Sequence, residues 1–151
     1  MPRFTKSFLF PDINVWLALT YDRHVHHDPA RKWFLSLDVS SQVFFCRFTQ
    51  LGLLRLLTTE AVMGPDRVLS QQHAWEVYDR WTEDPRISLL GENPSLESEF
   101  RLLSRLNRPA PKDWADSYLL AFATSSELTL VTFDRGFLHR YEYVIALRKA
   151  E

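Results

Sequence analysis

One cysteine in 151 residues leaves no internal disulfide to form. Cys46 therefore belongs to no stapled secreted scaffold, and the chain fits a reducing cytoplasm. Its setting, Val43-Phe-Phe-Cys46, is that of a buried strand rather than of a nucleophile. Glycine is scarce as well, four in all, and none stands in a G-x-x-x-x-G-K-[ST] phosphate loop. No apolar run approaches the roughly 20 residues that cross a bilayer, and no basic-then-apolar leader opens the sequence. An excess of one charge is also lacking: 18 Lys and Arg face 19 Asp and Glu, a net charge of −1. That balance argues against tight nonspecific nucleic-acid binding, but not against a site with local cations.

What is present is the mixture of a globular protein, 46% apolar and 25% charged. A chain this long buries roughly 68–70% of its unfolded surface, so we expect one domain over residues 1–151. No repeat, low-complexity tract or linker divides it.

The most informative stretch is KDWADSYLLAFATSSELTLVTFDRGF, from Lys112 to Phe137. Its first half is a helix by the spacing of Leu119, Leu120, Phe122 and Ala123, with Asp116 in the first turn. Its second half, Leu128 to Phe133, is a β-branched and apolar strand that ends in Asp134-Arg-Gly136, a turn signal. The N-terminal segment repeats this logic. An apolar run from Phe8 is followed by Asp12 and then by an apolar helix that includes Asn14. In an open α/β sheet, ligands bind beyond the carboxyl ends of the strands. Asp12 and Asp134 belong at two such ends, with Asp116 at a helix start beside them.

Each aspartate also has a plain structural role open to it. Asp12 can cap its helix, Asp113 and Asp116 resemble a capping box, and Asp134 can close an Asx turn. If all three share a pocket, it persists only when the carboxyls are protonated, spread apart or neutralised by a cation. Two carboxylates roughly 4 Å apart repel by about 4 kcal/mol at an effective dielectric near 20. Hard oxygen donors of this kind suit Mg²⁺ or Mn²⁺. Asp113 is read as the helix cap, and Asn14 and Thr132 as supports for the acidic residues.

The rest of the chain alternates helices and strands. Three histidines in Tyr21–Pro29 lack zinc spacing, so this segment reads as an exposed loop, with Asp28 capping a helix that has Pro29 at its first position. Strands follow at Gln42–Cys46, Arg86–Leu90 and Tyr143–Leu147. Ser70 caps a helix to about Glu83, whose apolar side holds Ala74, Trp75, Val77, Tyr78 and Trp81. Asn93-Pro94 starts a helix, with Ser95 as its cap, that runs to about Asn107. Arg101, Arg105, Arg108 and Lys112 point toward the acidic segments, and Arg135, His139 and Arg140 follow Asp134; solvated helix faces are the alternative. The tail after Arg148 is expected to fray.

PDINVWLAL, CRFTQLGLLRLLT, WADSYLLAFA and VTFDRGF, in that order and over nearly the whole chain, resemble the PIN-domain ribonucleases. The likeness is greatest to VapC-type toxins of bacterial toxin–antitoxin pairs. It implies a single α/β PIN-like domain with a mostly parallel central sheet flanked by helices on both faces. It also implies a metal-dependent endoribonuclease with Asp12, Asp116 and Asp134 as catalytic metal ligands. The partners it implies are RNA, a cognate antitoxin protein and a second copy of the chain in a homodimer.

The sequence departs from the family in one helix. Most members carry a glutamate there, at or beside the position of Gly52, and no acidic residue stands between Asp38 and Glu60. Thr49 and Gln50 are the nearest polar replacements. A glycine inside a helix costs roughly 0.5–1 kcal/mol against alanine, so something needs the space. The missing acid keeps a second reading open, a catalytically weak RNA- or protein-binding module. A small-substrate phosphohydrolase is disfavoured by the absent phosphate loop.

Overall fold

Short apolar runs bounded by turn residues become strands, and the segments with helical spacing cover them. The computed structural model describes residues 7–151. In chain order it contains β1 (Phe8–Pro11), α1 (Ile13–Thr20), α2 (His27–Leu35), β2 (Gln42–Phe45) and α3 (Arg47–Leu57). Then come α4 (Glu60–Met63), α5 (Gln71–Glu83), β3 (Ile87–Leu89), α6 (Leu96–Leu103) and α7 (Asp113–Ser125). The last elements are β4 (Thr129–Thr132), a 3-10 turn over Arg135–His139, and β5 (Val144–Ala146).

The five strands form one sheet in the order β3-β2-β1-β4-β5, and every pairing is parallel. From β1 the chain winds outward to β3, crosses back through α6 and α7 to β4, and finishes at β5. The direction of winding reverses between β1 and β4, where such sheets open a crevice. Strand residues alternate between two cores, as the pleat requires. Leu9, Val43, Phe45 and Val131 join α1, α3 and α5 on one face, centred on Trp16 stacked on Phe45 at 3.8 Å. Phe10, Phe44 and Leu130 join α6 and α7 on the other, where Phe10 stacks on Phe122 at 4.9 Å. This is the expected α/β architecture with helices on both faces, and its sheet is wholly parallel.

Several local expectations shift. Helix α2 begins at His27, so Asp28 and Pro29 lie inside its first turn and Asp28 is not the cap. The loop before it is less exposed than its composition suggests. The His27 ring meets the Ala18 carbonyl at 2.7 Å, and His26 lies 4.9 Å from the Phe133 ring. The tail is also held, since the Ala150 amide donates to His26 Nδ1 at 3.1 Å. Helix α6 ends at Leu103 instead of Asn107, because the Ser104 hydroxyl and amide both turn back onto the Phe100 carbonyl. Its start is organised by Asn93, whose side chain accepts from the Ser95 amide and hydroxyl. Trp75 on α5 is 47% exposed rather than core.

Candidate active site

The crevice between β1 and β4 is built from backbone register outward. Pro11 pairs with Val131, and the Asp12 amide donates to the Val131 carbonyl at 2.9 Å. That register sets Asp12 and Thr132 side by side, both buried. One carboxyl oxygen of Asp12 caps α1 by accepting from the Asn14 and Val15 amides at 3.0 and 3.2 Å. The other accepts from the Thr132 hydroxyl. Thr132 in turn accepts from the Asp134 amide at 3.0 Å, so one hydroxyl links both strand ends. Asp134 is exposed at the lip of the crevice, where its carboxylate accepts from the Gly136 amide at 2.8 Å.

Asp116 enters from the first turn of α7, half-buried. Its neighbour Asp113 is not the cap, a position that falls to Lys112. Arg140 instead binds Asp113 at 2.9 Å and the Ser117 hydroxyl at 3.1 Å, while Ser117 donates to Asp113 at 2.6 Å. This knot ties the end of the 3-10 turn to the start of α7 and brings a guanidinium toward Asp116. Asp113 and Ser117 are one helical turn apart, but Arg140 lies 27 and 23 residues from them, and only the run of basic residues after Asp134 hinted at the contact.

The electrostatics of the crevice follow from burial and like charge. Burial pushes the Asp12 carboxyl above its ordinary range; Thr132 and the two amides pull it back, and Asp134 adds to the push. Asp116 is raised by burial first and Asp134 second, with Arg140 opposing. Asp134 is thus the charge felt by both other aspartates. Two carboxyls that resist ionisation around a third describe a negative pocket that a cation relieves. The donors are all hard oxygens, which match Mg²⁺ or Mn²⁺. Among the described residues, no group of three or more His, Cys, Asp or Glu side chains is arranged to hold a metal ion. The oxygen donors present fit a hard cation that is not enclosed by protein and keeps several of its waters.

The polar residues of α3 have other tasks. Thr49 is buried and its hydroxyl accepts from the Cys46 amide at 3.0 Å, fixing the first turn. The Gln50 carbonyl oxygen accepts from Arg47 at 2.6 Å. Neither is directed to the crevice by a contact with its aspartates. Gly52 is explained by α1: a Cβ there would lie 2.3 Å from Ile13 Cδ1 and 2.8 Å from Cγ1. Ile13 immediately follows Asp12, so this close approach seats the start of α1. Asn14 reaches Asp12 through its backbone amide, and the residue itself is exposed. Cys46 is fully buried and burial raises its thiol, which leaves it a core residue.

A doubly wound parallel sheet with carboxylates at its switch point defines an α/β protein with an acidic pocket. Residues 9–143 match the family model described as PIN domain. The chain is 42% identical over 132 residues to Ribonuclease VapC41 of Mycobacterium tuberculosis, an alignment spanning 85% of this chain and 90% of that one. It belongs to the PIN domain family, in its VapC branch. Solved structures share the fold. Rickettsia felis VapBC2, bound to a DNA fragment from its promoter, superposes with a TM-score of 0.68 at 10% identity, covering 93% of this chain and 98% of that one. Mycobacterium tuberculosis VapC20, described as a Sarcin-Ricin loop cleaving toxin, gives 0.61 at 15% identity, covering 87% and 94%.

Proposed function

We propose that the protein is a metal-dependent endoribonuclease, the toxin of a toxin–antitoxin pair, and that Asp12, Asp116 and Asp134 hold Mg²⁺ or Mn²⁺ in the crevice. The observation that carries this reading is the link of Asp12 to Asp134 through the Thr132 hydroxyl at the switch point, with Asp116 in the first turn of α7 beside them. When bound, a divalent cation lowers the pKa of a coordinated water and offsets charge on a phosphodiester's oxygens.

The chain's own residues set that chemistry up. Thr132 and the α1 amides orient Asp12 and favour its ionised form, against the cost of burial. Asp134, exposed at the lip, is the carboxylate that an incoming phosphate meets. Arg140 limits how far Asp116 is raised and keeps it available as an anion. The one cysteine, Cys46, is buried and does not compete as a nucleophile.

By the same reading the protein works in the cytoplasm as a homodimer. A cognate antitoxin silences it by placing a cationic side chain against the acidic crevice. Among the described residues no helix is long and apolar enough to cross a membrane. One observation favours a second reading, an RNA- or protein-binding module: Thr49 and Gln50 are engaged within α3, so nothing there stands in for the family glutamate.

The test is RNA cleavage by purified protein with Mg²⁺ or Mn²⁺, with chelator, and with Asp116→Asn. Cleavage abolished by both chelator and substitution is the expected result. Folded wild type that cleaves none of several RNAs would move the balance to the binding module.

A further inference from the structure

Between Arg101 and Lys112 the sequence carries Arg101, Arg105, Arg108 and Lys112 and no acid, a local charge of +4 in a chain of net charge −1. The rest of the protein therefore carries −5, so this segment is a local excess of positive charge. Arg101 pairs with Glu97 at 3.2 Å. Among the described residues, Arg105, Arg108 and Lys112 take part in no ion pair. The other acid beside them, Asp113, is already bound by Arg140.

Three adjoining cavities line this segment. One of about 410 Å³ lies among Phe100, Arg101, Arg105 and Trp114. The next, about 340 Å³, shares Trp114 with it and extends to Arg108 and Asp113. The third, about 500 Å³, shares Arg108 and Asp113 and passes Lys112 to reach Asp116. A chain of adjoining depressions thus leads from an aromatic residue, past unpaired cations, to Asp116. Trp114 is 59% exposed, yet its indole is braced edge-on by Phe100, with centroids 6.1 Å apart at 74°. Pro109 and Pro111 stiffen the loop between the cations. An exposed, braced aromatic next to unpaired cations is how single strands are gripped: bases stack and phosphates meet charge.

We propose that residues 101–114 form the docking track for an unpaired RNA strand, with Trp114 stacking a base and Arg105, Arg108 and Lys112 holding phosphates. The track rests on the ribonuclease reading, because it ends at Asp116 and delivers the strand there. It also reconciles a near-neutral protein with an RNA substrate, since this local excess of positive charge supplies the attraction.

The experiment measures anisotropy of a fluorescein-labelled unpaired RNA, with a perfect RNA duplex as comparison, on the Asp116→Asn background in Mg²⁺. Trp114→Ala weakens binding of the unpaired strand about tenfold, and Trp114→Phe recovers most of it. Arg105→Gln and Arg108→Gln each lower the slope of log affinity against log salt by about 0.7. Should Trp114→Ala loosen the contact with Phe100, seen as a lower melting temperature, Trp114→Phe and the two arginine variants carry the test. Unchanged affinity in the arginine variants and in Trp114→Ala overturns the track, as does equal affinity for the duplex. Failure of the carboxylate reading shows separately, as cleavage that persists in Asp116→Asn, whereas the track stands or falls on the binding series alone.

Discussion

Asp12 engages one carboxyl oxygen with the start of α1 and the other with Thr132, and it does so while buried. Its carboxyl is raised by burial above its value in the unfolded chain. A group raised on folding binds more protons in the native state. Its contribution to stability is therefore full below the ordinary carboxyl pKa and is lost as pH rises through the folded value. Asp12→Asn keeps a capping oxygen and removes the buried charge. In metal-free protein at neutral pH it raises the melting temperature, by about 2–4 °C for each kcal/mol recovered. The gain shrinks as pH falls toward the ordinary carboxyl range. Calorimetry across pH checks this, and a variant that melts below wild type at neutral pH would contradict it. Gly52 makes a second case. Gly52→Ala gains helix propensity but drives a methyl into Ile13, a β-branched side chain that is stiff at χ1. Overpacking costs about 1–3 kcal/mol, which exceeds the propensity gain of about 1 kcal/mol. Gly52→Ala therefore melts earlier, and adding Ile13→Val, which removes Cδ1, recovers part of the loss. Gly52→Glu is destabilising for the same reason. The placement of Asp12 and Asp134 after strands and of Asp116 in a first helical turn was legible, because local order announces it. The cause of Gly52 was not, since the atoms that crowd it belong to a helix 39 positions earlier.

The knot of Arg140, Asp113 and Ser117 joins the 3-10 turn to α7, and its charge works on Asp116. Arg140→Gln removes the one influence that lowers the Asp116 carboxyl, so that carboxyl rises further. Cleavage that needs Asp116 ionised then loses activity at higher pH than wild type. The acid limb of kcat/KM against pH moves upward, and a limb that stays in place would remove Arg140 from the site. The pair is partly exposed, so the fold loses only about 0.2–1 kcal/mol. Strands and helices were largely readable in the chain, because period-2 and period-3.6 patterns are local. Their ends were less so. The apolar spacing of Leu102, Leu103 and Leu106 continues past the point where Ser104 turns the chain. Asp113 looked like a cap because its partner, Arg140, is 27 residues away. Local patterns fix which face is apolar, while the ends depend on side chains that bond at a distance.

A mostly parallel sheet and the position of the crevice were implied by the family likeness and by two matching strand–aspartate segments, and the structure makes every pairing parallel. The role of Thr132 became concrete only with the pairing of β1 and β4. Under the proposed reading, that register also makes metal binding a property of the folded protein. Asp12 and Asp134 follow different strands and Asp116 begins a helix, so the unfolded chain holds no comparable pocket. A ligand bound only by the native state stabilises it by RT ln(1 + [L]/Kd), about 2.7 kcal/mol at 100 times Kd. At about 2–4 °C per kcal/mol for this chain length, saturating Mg²⁺ or Mn²⁺ raises the melting temperature by about 5–11 °C. The rise is largest at neutral pH and falls in acid, where protons compete for Asp12 and Asp116, both of which are raised. Asp116→Asn and Asp134→Asn each lose most of the increment. This thermal shift needs no RNA and no turnover, so it tests the carboxylate site apart from the substrate. A melting temperature indifferent to both cations in wild type would mean that the three aspartates form no metal site.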